Sequence, residues 1–258
     1  MALAGFNTKE SISALPSVLN LASAGAIELG KASDIVTDNM SAFSIEAENA
    51  QRVTDVFAKT QSIANTTTES LNEALKLSGS SANAFGVELE TTSAILGLFA
   101  DNNLRGSRGG TALSNILKDL QKNAKDGKVS INNQTIAIAD QNGEFRNLID
   151  ILADVEKATA NLTPVQRNQA LTSEFNTRAM RGLNVVMNSG TGALRDYEKQ
   201  LFNAGGTAEN IATKMEAGLG GSMRKLKSAV ESAGIAIGET LAPVIKDVAD
   251  FVADLISQ

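Results

Sequence analysis

Any chemistry in this chain must use hydroxyls, amides, carboxylates and guanidiniums. Its 258 residues include no His, no Cys and no Trp, and Tyr197 is the single tyrosine. The usual proton shuttle, the thiolate nucleophile and the soft metal ligands are therefore missing. The segment Arg105-Gly106-Ser107-Arg108-Gly109-Gly110-Thr111 has the glycine density of a phosphate cradle. It lacks the Gly-Lys-Ser/Thr ending, however, and it follows a helical stretch where a P-loop follows a strand. A tight interhelical turn built on Gly106, Gly109 and Gly110 is the better reading, with positive φ or close helix approach as the reason for glycine. Asp140, Asn142 and Glu144 resemble the opening of a calcium loop, but Gly143 falls at the fourth position where such a loop needs glycine at the sixth. A hairpin turn explains them more simply.

Two Glu-Ser pairs, Glu69-Ser70 and Glu231-Ser232, have the order in which lytic transglycosylases place their catalytic glutamate. Neither is followed by that family's Gly-Leu-Met-Gln-like segment, and acid catalysis needs a pocket and a second group that nothing here identifies. Glu69 reads as a helix-capping residue and Glu231 as a solvated flank. Gly234 and Gly238 have the spacing of a close helix crossing in lipid, but Glu231 and Glu239 flank them, which favours a soluble crossing or simple helix weakness. No cofactor is expected. With a net charge of −6 the chain has no basic field for a phosphate backbone, so nucleic acid is not expected as its main partner. The N-terminus lacks the basic and apolar regions of a secretory signal, and no uncharged apolar run reaches the roughly 18 residues of a membrane span.

The elements that must position these residues are helices. Apolar spacing and caps predict helices near 8–25, 28–43, 46–64, 67–78, 88–101 and 110–124, with Pro16 admitted at a first turn. Thr66 can cap an amide while Glu69 reaches back, and Thr163-Pro164-Val165-Gln166 repeats that box with Pro at the first helical position. Between Gly127 and Arg146 the pattern turns to strand: Thr135 to Ala139 alternates, and Asn142-Gly143 offers a tight turn. Such a ribbon is weak alone and should lie on helices. Helices resume near 145–160, 163–174, 177–188 and 191–204, and Gly205-Gly206 is the candidate boundary.

Beyond it, Met223, Leu226, Val230, Ala233, Ile237, Leu241, Val244, Val248, Phe251 and Leu255 follow one another at steps of three and four. This is close to a heptad seam, kinked at Pro243. A seam still running at Gln258 reads as an excerpt of a longer protein. The expected fold class is thus mainly α: a multi-helix domain over 1–206 with a small inserted β-hairpin near 129–146, then a long amphipathic C-terminal helix over 207–258.

Several unrelated local patterns occur here in one order: Asp34-Ile35-Val36-Thr37-Asp38, the helix start at Asn65-Thr66, Leu96-Gly97 followed by Ala100-Asp101, and Gly106-Ser107 with Gly110-Thr111-Ala112-Leu113. With GEFRNLIDILADV, LTPVQRNQALTSEFNTRAMRGLNVV and GGTAENIATKME they make nearly the whole chain resemble the core region of phage tail tape-measure proteins. The resemblance implies a non-enzymatic structural protein of the virion tail interior, assembled in the host cytoplasm. Its implied partners are the tail tube protein, tail assembly chaperones and copies of itself, with membrane contact confined to ejection. Members of that family are far longer, with extended rods and upstream sequence. A fully helical chain of this length would reach only about 390 Å, so the segment is expected to be one domain of such a protein or a prophage remnant. Two other functions compete with scaffolding and length control. One is a membrane-active module for genome delivery, which the acidic C-terminal end opposes. The other is a wall hydrolase, which lacks both His and a carboxylate pair.

Overall fold

The computed structural model describes residues 6–124 and 126–218. The stripe from Met223 to Leu255, Glu231-Ser232, Gly234 and Gly238 lie outside the described residues. The described elements are α1 (Thr8–Gly25), α2 (Leu29–Ala42), a short 3-10 turn (Ala47–Asn49), α3 (Ala50–Ile63), α4 (Thr68–Ala84), α5 (Leu89–Asp101), α6 (Gly106–Asn123), β1 (Lys128–Ile131), β2 (Gln134–Ala137), α7 (Leu148–Thr159), α8 (Pro164–Thr172), α9 (Thr177–Ser189), α10 (Thr191–Phe202) and α11 (Thr207–Ala217). The chain is mainly α with one small antiparallel sheet. A first compact unit extends through Ala212, past the Gly205-Gly206 pair, and a second begins at Thr213.

The first unit is organised around α5, in which every residue from Leu89 to Ala100 is buried. A helix covered on all sides is a core helix. Its neighbours α3, α4, α6, α9 and α10 bring Phe57, Leu75, Leu113, Ile116, Leu183 and Leu194 into one continuous apolar cluster with Ile95 and Phe99. Three buried polar side chains of α5 find partners inside, while the Ser93 hydroxyl has none among the described residues: Thr92 Oγ1 donates to the Glu88 carbonyl at 2.8 Å, Thr91 Oγ1 to Glu198 Oε1 at 2.7 Å, and Arg52 Nε to Glu90 Oε1 at 2.6 Å. Buried polar groups without such partners would each cost about 1–3 kcal/mol. Between α2 and α4, the buried Asn39 Nδ2 donates to Asn72 Oδ1 at 2.8 Å.

Local signals set most helix ends, with informative exceptions. Thr163 and Gln166 form the expected capping box at α8, and Asn7 and Glu10 form another at α1. At α4 the cap is Thr67 rather than Thr66, accepting from Ser70 N at 3.1 Å, while Glu69 pairs with Lys31 instead of reaching back. Helix α4 continues to Ala84 because Gly79 does not stop it. A Cβ there would stand 3.2 Å from Phe43 Cε2, so glycine serves packing. Pro16 lies in the interior of α1, not in its first turn. Pro16 and Ile12 are both exposed, which leaves the unmatched Ile12 carbonyl to water.

The hairpin turns one step earlier than its Asn-Gly signal. Asn132 and Asn133 sit at φ 50 and 59 and join strands paired Lys128↔Ala137, Val129↔Ile136, Ser130↔Thr135 and Ile131↔Gln134. Asparagine tolerates the left-handed region that this two-residue turn requires at both positions. Asn142-Gly143 closes a second, smaller turn under the Ala139↔Phe145 bridge. Val129, Ile131, Ile136 and Ile138 are buried, α7 packs on both strands, and Phe145 meets Phe85 with ring centroids 4.1 Å apart. The ribbon does lie on helices.

Candidate functional site

The glycine-rich segment is where the sequence concentrates its most suggestive pattern. Its turn is made before the glycines: Asn103 takes φ 61, Leu104 N donates to the Phe99 carbonyl at 2.8 Å and Asn103 N to the Ala100 carbonyl at 3.1 Å, a Schellman ending to α5. Gly106 opens α6 at φ 55, while Gly109 and Gly110 stand inside that helix and are buried. Close approach explains them. A Cβ on Gly109 would lie 2.6 Å from the Leu104 carbonyl oxygen, and one on Gly110 only 2.2 Å from the Ala74 carbonyl oxygen. Gly106, Gly109 and Gly110 thus share one face of α6, at spacings of three and four, and Gly110 lets α4 cross α6 at backbone contact.

A phosphate cradle would need its anion position free. A Cβ on Gly106 would meet Glu73 Oε2 at 2.7 Å, so a carboxylate from α4 already stands against the α6 N-terminus. That complements the exposed amides and dipole of the helix end.

Several other acids serve backbone amides at or near helix starts. Asp55, 3% exposed, accepts from Gly206 N and Ala208 N at 2.8 Å each, capping α11. Glu156 Oε2 accepts from Thr191 N at 2.9 Å and Thr191 Oγ1 at 2.6 Å at the start of α10. Asp119 Oδ2 accepts from Asn176 N at 2.8 Å, just before α9, and Asp101 Oδ1 accepts from Asn65 N at 2.7 Å in the loop before α4. Asp101 Oδ2 takes the Tyr197 hydroxyl, and Gly97 leaves room for that ring. Burial first, then the bond to Asp101, pushes the Tyr197 phenol well above its ordinary range.

Asp140 Oδ1 accepts from Asn142 N at 2.8 Å and Glu144 N at 3.0 Å, which closes its own turn. Among the described residues no group of three or more acids could hold a metal ion. Sequence reasoning missed these long-range caps because each carboxylate is remote in sequence from the helix end that it serves.

The surface carries shallow hollows. One of about 560 Å³ is lined by Arg52, Asp55, Glu88, Glu90 and Phe202, but Glu88 and Glu90 are taken by Arg52 and Asp55 by α11. Another, of about 390 Å³, is lined by Ser107, Arg108, Thr111, Ala112, Arg178 and Arg181. What this arrangement offers is shape and charge presented on a rigid helical frame. The predicted seam residues Leu226, Val230, Ile237, Leu241, Val244, Val248, Phe251 and Leu255 lie outside the described residues.

Comparison with known proteins places this frame. The "Tape measure protein" of Pneumococcus phage Dp-1 is 30% identical over 245 residues, covering 95% of this chain and 21% of that protein. The "Probable tape measure protein" of Escherichia phage P2 is 25% identical over 240 residues, covering 91% of this chain and 29% of that protein. The chain therefore spans less than a third of the length of these relatives. No solved structure matches it. Residues 1–176 match the family model described as "Phage-related minor tail protein". By that match the chain belongs to the phage-related minor tail protein family, as its resemblance to tape-measure proteins predicts.

Proposed function

We propose that the chain is a structural module of a tape-measure protein that scaffolds tail tube assembly and helps set tail length, without catalysing a reaction. The observation that carries this reading is the similarity over 95% of the chain to a protein called a tape measure, of which it spans 21%. The physical findings support a division of labour. The longest described helices of the first unit have 18 residues, about 27 Å at 1.5 Å per residue. Such a unit is a docking head, and length is set by sequence that can lie extended along the tube. The tail tube protein, assembly chaperones and further copies of the chain are its partners in this reading, and the tube interior its place in the virion.

The test is an in-frame deletion in the intact phage gene. Removing about 14 residues within 219–258 should shorten the tail by about 21 Å if that stretch lies as extended helix along the tube. Normal tail length in virions that still assemble would overturn the ruler role for this segment. Removing α9 should block tail formation, because it strips Leu183 and Val186 from the core.

A further inference from the structure

The α6–α9 hollow carries charge that the fold does not use. Arg108 and Thr111 stand one turn apart on α6, and Arg178 and Arg181 one turn apart on α9. Among the described residues no acid lines the hollow, in a chain with 29 acidic and 23 basic residues. Elsewhere Arg52, Arg146 and Arg195 are held in ion pairs. Arg108 donates only to the Asn103 carbonyl, and the side chains of Arg178 and Arg181 have no partner among the described residues. Their footing is rigid. Gly182 lets α9 come so close that a Cβ there would stand 2.6 Å from Phe99 Cζ, and Gly110 holds α6 against α4. Guanidiniums fixed at their bases keep more of their fork geometry available to a partner.

The geometry points to this hollow as a docking site for a carboxylate-rich segment of a partner protein. Packed helix axes lie about 8–10 Å apart and one turn spans about 5 Å, so the arginines are rooted at several separate points around the hollow. A segment offering several carboxylates matches three separately rooted cations, each carboxylate taking one guanidinium fork with the Ser107 and Thr111 hydroxyls beside them. A nucleic acid fits worse, because no aromatic side chain among the described residues lines the hollow for stacking and the chain as a whole is acidic.

The experiment uses the full chain and fluorescein-labelled decaglutamate, followed by anisotropy. Binding should saturate, weaken with salt, and fall by about tenfold in the Arg108→Gln/Arg178→Gln/Arg181→Gln variant. It should hold in Lys118→Gln/Lys157→Gln/Lys199→Gln, which removes equal charge at exposed sites elsewhere. A second measurement needs no variant: decaglutamate should protect Arg108, Arg178 and Arg181 of the wild-type chain from phenylglyoxal, and leave Arg167 reactive. Equal loss in both variants, no saturable binding, or protection spread over all arginines would overturn the proposal. Displacement of the probe by inorganic phosphate at equal charge, or tighter binding of oligo-dT, would overturn it in favour of a phosphate or nucleic-acid site.

Discussion

Glycine has opposite meanings at different positions of this chain, and the neighbours decide which. Gly110→Ala would force a methyl into the Ala74 backbone, which cannot swing aside as a side chain can. It should cost about 2–3 kcal/mol of unfolding free energy. Gly30, in the first turn of α2, has nothing within 4 Å of its Cβ position. Gly30→Ala should therefore stabilise by about 0.5 kcal/mol through lower unfolded-state entropy. Chemical denaturation of the two variants checks both signs. The spacing of Gly106, Gly109 and Gly110 already marks one helical face, yet glycine read as punctuation hides it. Which backbone that face meets is not written locally. Tyr197 gives a second test, because its raised pKa means that the folded state holds the phenol proton more tightly than the unfolded chain, whose ordinary value is 10.0. Its contribution is fully present below about pH 10 and is lost as pH climbs from there toward the folded value. Tyr197 is the single tyrosine and there is no Trp, so near-ultraviolet phenolate absorbance reads it alone. Phenolate appearing at the ordinary pH in the folded protein would contradict the burial of the phenol and its bond to Asp101.

Helix starts in this fold are secured in two ways, and only one is visible in sequence. Local boxes such as Thr163 with Gln166 are legible because donor and acceptor lie three residues apart. Caps from afar, such as Asp55 to α11 and Glu156 to α10, join residues separated by 35 or more positions and leave no local pattern. The hairpin shows the same limit differently: Asn142-Gly143 is the stronger turn signal, but the buried face formed by Val129, Ile131 and Ile136 fixes the register and puts the main turn at Asn132-Asn133. Asp55→Ala should remove both acceptors at the start of α11 and cost about 1–2 kcal/mol. Hydrogen exchange should quicken at Gly206 and Ala208 while α5 stays protected. Unchanged exchange there would show that the Asp55 bonds do not hold the helix start. Asp55→Asn, keeping one oxygen acceptor, should recover part of the loss.

At the scale of the whole chain, local periodicity gave the helical class, whereas the central place of α5 came only with the structure. Its Thr91, Thr92 and Ser93 look like a wet face until Glu198 and the Glu88 carbonyl are seen to receive the two threonines. The Gly205-Gly206 pair reads as a boundary, yet Asp55 accepts from Gly206 N within it and from Ala208 N beyond it, and the compact unit runs to Ala212. Residues 219–258 carry the three-and-four stripe in sequence alone. As a proposal, that stripe packs against further copies of the chain or the tube wall, since such a face would otherwise meet water. The full chain should then associate with rising concentration in sedimentation velocity. Replacing Ile237, Val244 and Val248 with Asp should abolish that association, because each buried charge at an apolar seam carries a desolvation cost that no partner offsets. As part of the same proposal, the melting of the first unit should stay unchanged. Association that persists in the triple variant would remove the seam as the cause, and a wild-type chain monomeric at every concentration would leave the tube wall as the surface that this stripe must meet.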